Sequence, residues 1–139
     1  MAPKRIEALA DAIGKLNKIH EPSSDAFQLR NPGLFRAYTY KHLAETDEKG
    51  RRIFTSMIGG YRFLVQDLTW KCSGETRAKG EAGKLKPTST LVDLLRAFRL
   101  TGAGDIFELV NFLQEALKDE SISATTALSF FLENNDGTN

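Results

Sequence analysis

The stretch from Ser56 to Gly74 leaves this chain few ways to fold. Tyr61, Leu64, Val65, Leu68 and Cys72 recur at the three- and four-residue spacing of one helical face, and Ile58, Phe63 and Trp70 widen it. A face that wide predicts a central buried helix, the most buried of the molecule, with the other elements packed around it. Ser56 is placed to accept hydrogen bonds from the first free amides, and Gly74 to turn left-handed after the last residue.

The partners of this helix are predicted along the rest of the chain. Ile6, Leu9, Ala10, Ile13 and Leu16 form an apolar stripe opposite Glu7, Asp11 and Lys15, so a first amphipathic helix should end near Asn17 to His20. Pro22 then disfavours helix, and Ser23, Ser24 and Asp25 read as a turn and polar connector. Asn31-Pro32-Gly33 predicts a tight type II bend, with the glycine at positive φ. Leu34 to Lys41 and Arg52 to Thr55 read as two short strands joined by the turn Thr46 to Gly50, a small hairpin that must lean on helices to be stable. Glu75 to Pro87, with Gly80, Gly83 and dispersed charges, reads as a mobile, mildly basic loop.

Thr90 and Asp93 form a capping-box pair for a helix carrying Leu91, Leu94, Leu95 and Phe98. Asp105 is the expected cap of the next, whose Ile106, Leu109, Val110, Leu113 and Leu117 keep helical period to about Lys118. A last short helix is expected from Ser123 or Thr125 through Leu132, followed by a polar, frayed tail at 134–139. The fold class is therefore mainly α with one small β-hairpin, about five helices in a single domain over residues 1–139. A chain of 139 residues, 41% hydrophobic, can bury enough core to fold without disulfides.

Several function classes are disfavoured. With 19 basic and 18 acidic residues the net charge is +1, which argues against a dedicated nucleic-acid binder. Cys72 is the lone cysteine and falls on an apolar face, so it builds neither a disulfide framework nor a cysteine zinc site. His42 stands alone on the hairpin and His20 reads as a surface or cap residue, so no metal or other cofactor is expected. Glu7, Asp11 and Lys15 interrupt the apolar run after the basic Met1 to Arg5, so neither a signal-peptide core nor a membrane span is expected, and the chain as encoded should be cytoplasmic.

The order helix, Asn-Pro-Gly bend, hairpin, central helix and cluster of shorter helices resembles the lysozyme-like domains of phage and prophage proteins related to lytic transglycosylases. Those domains typically read Ala-Ile followed by Glu-Gly, then Asn-Asn-Pro-Gly-Asn, a phenylalanine, a Gly-aromatic helix and a Thr-Leu-x-Asp-Leu helix. The matching stretches here are Ala12-Ile13, Arg30 to Leu34, Phe54, Gly60-Tyr61, Lys71 to Gly74 and Thr90 to Leu94, so the likeness spans roughly residues 6 to 132. The resemblance implies a glycan-cleaving ancestry, a peptidoglycan strand or a phage or host protein as partner, and association with a virion.

It also implies where the chemistry would be. In such enzymes a carboxylic acid near the end of the first helix protonates the glycosidic oxygen. That place falls on Asn17, which has no proton to give, so no catalytic residue is expected at the family position. Lys18 stands where the pattern has glycine, and Arg30 and Leu34 where it has asparagines, positions where a sugar would be handled. Glu21 and Glu45 are the candidates for a relocated acid. Asn17, Asn31, Tyr38, Tyr40 and Tyr61 are the expected groove residues, the tyrosines and Trp70 offering aromatic faces to a sugar. Three readings follow: a non-catalytic binding domain, an active peptidoglycan hydrolase or transglycosylase with a relocated acid, and a nucleic-acid or protein adaptor using Arg51, Arg52, Arg62 and the basic loop.

Overall fold

Five α-helices and a closing 3-10 turn surround one buried apolar cluster in the computed structural model, which describes residues 2–36, 45–75 and 85–133. Helix α1 spans Lys4–Leu16, α2 Asp25–Leu29, α3 Met57–Ser73, α4 Leu91–Ala97 and α5 Asp105–Leu117, and the 3-10 turn covers Leu128–Leu132. The mainly helical class is as the apolar periodicities require. The expected mobile loop falls largely on 76–84, and the expected tail on 134–139, both outside the described residues.

α3 starts and stops on its sequence signals: Ser56 Oγ accepts from Gly59 N at 2.9 Å, and Gly74 follows at φ 80°. Leu64, Leu68 and Cys72 are fully buried, each leucine contributing about 2 kcal/mol. It is nevertheless not the most buried helix. Six of its 17 residues are buried against seven of 13 in α1. The reason is coverage: α1 packs against α3, α5 and the 3-10 turn, whereas α3 leaves Ile58 largely exposed and Trp70 half-buried.

The apolar face of α3 also includes a charged pair. Lys71 Nζ donates to Asp67 Oδ2 at 2.6 Å, one helical turn apart, with both side chains buried. The ammonium lies 5.3 Å from the centre of the Phe98 ring and 5.9 Å from that of Phe35, an electrostatic setting that offsets part of its desolvation.

α4 opens on the expected capping box: Asp93 N donates to Thr90 Oγ1, and Thr90 N donates to Asp93 Oδ2. Three expectations are corrected nearby. α5 has no side-chain cap, because Asp105 turns back to accept from Gly102 N. The last element starts at Leu128 and is 3-10, since Ser123 to Thr126 is closed by a tight turn in which Ser123 N donates to Thr126 Oγ1. The polar connector expected after Ser23 and Ser24 holds a helix, α2, because Ser24 caps it through Phe27 N and so starts a helical turn.

The expected hairpin lies partly outside the described residues, which omit 37–44. Its described flanks meet only at isolated bridges, Arg36 with Arg51 and Thr46 with Arg52. The turn itself is present, with Gly50 at φ 79° and Asp47 Oδ1 accepting from the amides of Lys49 and Arg51. The Arg51 guanidinium contacts Asp47 at 2.8 Å and Asp25 at 3.0 Å, tying this turn to α2.

At the far side, Arg5 ties α1 to the 3-10 turn. Its guanidinium lies 3.9 Å from the Phe130 ring centre, donates to Phe130 O at 2.8 Å and faces Glu133 at 3.7 Å.

Candidate functional site

The end of α1, the bend at residues 31–34 and the first turn of α3 converge on one place. The backbone demands it. A β-carbon on Gly60 would fall 2.1 Å from the carbonyl oxygen of Arg30, so only glycine lets α3 lie this close to the bend. On α1 a β-carbon at Gly14 would fall 2.7 Å from the Tyr61 hydroxyl oxygen, the movable end of a side chain, and 3.4 Å from Ile19 and Pro32.

Asn17 follows the last residue of α1, and its Nδ2 donates to Pro32 O at 2.9 Å. Asn31 is fully buried and satisfied on both sides of its amide. Nδ2 donates to Phe35 O at 3.0 Å and to Arg52 O at 2.9 Å, while Oδ1 accepts from Phe35 N at 2.9 Å. Two of the expected groove residues thus hold backbone together. Tyr61 is half-buried, and Asn17, Asn31 and Tyr61 lie in one neighbourhood. Tyr38 and Tyr40 lie outside the described residues, as does His42.

The bend itself differs from the expected type II turn. Leu34 N donates to Asn31 O at 3.0 Å, but the residue at positive φ is Leu34, at 51°, not Gly33. Gly33 is needed for space instead, because the Phe35 ring lies where its β-carbon would be. Lys18 and Arg30 are also left-handed, at φ 63° and 53°. Lys18, Arg30 and Leu34 therefore sit at backbone positions that favour glycine or asparagine, whereas Asn17, at φ −84°, does not. Arg30 has a structural task of its own: its Nε donates to Phe54 O at 2.6 Å.

Among the carboxyls, Glu21 and Glu45 are exposed, and Glu45 belongs to the segment facing Ile53, whose amide donates to its carbonyl. Asp11, on the exposed side of α1, has a raised pKa, from partial desolvation first and then from the charge of Glu7, with His20 opposing. Tyr61 is raised as well, by burial and by the charge of Asp11. Sequence reasoning passed over Asp11 as the polar side of an amphipathic stripe, and only the packing of Tyr61 onto Gly14 distinguishes it.

The basic residues considered for an adaptor surface are largely engaged. Arg51 is ion-paired, and the Arg52 guanidinium lies 4.6 Å from the Phe54 ring centre and 5.0 Å from that of Phe63. Arg62 is exposed. Among the described residues no group of three or more His, Cys, Asp or Glu side chains could hold a metal ion. No described helix is long and apolar enough to cross a membrane. No family model matches the chain, and neither a curated protein nor a solved structure matches it.

What this arrangement can do chemically follows from its groups. An amide donor at position 17, held by a carbonyl, can fix the bend against α1 but cannot protonate a leaving oxygen. Asp11, an exposed carboxyl on the same helix, lies nearly two turns before Asn17.

Proposed function

We propose that the chain is a lysozyme-like domain that no longer cleaves glycan and serves as a scaffold or binding module of phage or prophage type. The observation that carries this reading is the hydrogen bond from Asn17 Nδ2 to Pro32 O. At the place where the resemblance puts a general acid, the side chain is an amide occupied in holding the Asn-Pro-Gly bend. Loss of the acid removes a contribution of roughly 10² to 10⁴ in rate. Left-handed backbone at Lys18, Arg30 and Leu34, where the pattern has glycine and asparagines, supports the resemblance on conformational grounds. The remaining ligand is a glycan strand or a phage or host protein. The engagement of Arg51 and Arg52 weighs against a nucleic-acid adaptor, whose affinity would fall steeply with salt.

The test is incubation of purified protein with peptidoglycan, reading released muropeptides. The unmodified protein should release none above buffer. Release that disappears in Asp11→Asn, Glu21→Gln or Glu45→Gln would identify a relocated acid and overturn the reading. Release by Asn17→Glu alone would support loss of the acid from a groove that still admits substrate.

A further inference from the structure

We draw no further inference here: the strongest candidate, the cluster of Asp11, His20 and Tyr61 beside Gly14 where α1 meets the start of α3, belongs to the site already described.

Discussion

Gly60 and Gly59 are neighbours on α3, yet alanine should act on them with opposite sign. At Gly60 the added β-carbon would meet the Arg30 carbonyl oxygen at 2.1 Å and Pro32 Cδ at 3.0 Å. Carbon and oxygen without a covalent bond settle at about 3.3 Å, so α3 must retreat from the bend by on the order of 1 Å. Overpacking of this kind costs about 1–3 kcal/mol and sometimes more, and the obstacle here is backbone, which yields less than a side chain. Alanine returns about 1 kcal/mol of helix propensity, leaving a net loss of about 2 kcal/mol. At Gly59 the nearest atom is Ser56 Oγ at 3.1 Å, the capping oxygen, so the propensity gain is retained apart from a small disturbance of the cap. The two variants should differ by about 2–3 kcal/mol in urea unfolding followed by circular dichroism, or roughly 6–9 °C in Tm for a chain of this size. Equal stability of Gly60→Ala and Gly59→Ala would refute the claim that the helix is seated directly on the bend.

Burial pushes the Cys72 thiol up to about 12, so native protein should resist a thiol reagent at pH 8 and react fully once unfolded in denaturant; rapid native labelling would contradict its burial. Lys71→Met, which breaks the buried ion pair with Asp67, should lower stability, whereas Asp67→Leu combined with Lys71→Met should recover most of the loss in the same unfolding assay. Lys18→Gly should raise stability by up to about 1 kcal/mol by relieving a left-handed backbone, while Arg30→Gly should lower it by about 1–2 kcal/mol because the bond to Phe54 O goes with the side chain. Asp93 is held below the usual carboxylate range by the Thr90 backbone amide, and its stabilising contribution, complete above about pH 4, should fade as the pH drops further. Asp11 has the opposite sign: its raised value means that stability present below about pH 4 is lost as the pH rises through the folded pKa, so Asp11→Asn should stabilise the protein at pH 7 and leave it unchanged at pH 3.

Elements whose ends are set by local chemistry were legible in the sequence. Ser56 and Gly74 bound α3, Thr90 and Asp93 open α4, and the stripe from Ile6 to Leu16 gives α1, because a cap or an apolar period acts through residues a few positions apart. What was not legible depends on distant partners. The depth of α1 comes from three neighbours far along the chain, and Ile58 is exposed although it widens the apolar face of α3. Nothing local announces that Asp67 and Lys71 are buried together, or that the Phe35 and Phe98 ring centres lie 5.9 and 5.3 Å from the Lys71 ammonium. In the candidate site, Asn17 and Asn31 were identified as important positions, but their roles as donors to Pro32, Phe35 and Arg52 carbonyls arise only when the bend is folded. Gly33 was assigned to a dihedral angle, whereas the space taken by the Phe35 ring is what requires it.

The clasp between Arg5 and Phe130 joins residues 125 positions apart. During synthesis at about 5–20 residues per second, α1 emerges roughly 6–25 s before the carbonyl that its second residue will grasp. Its apolar stripe also needs α5 and the 3-10 turn as cover, so no early local folding event can bury it completely. Closing so long a loop is slow rather than prohibitively costly, since the entropic cost grows only with the logarithm of length. Until the segment around Phe130 has been made, the nascent chain therefore carries an incompletely covered amphipathic helix, a natural target for holding factors near the ribosome and a source of aggregation when they are scarce.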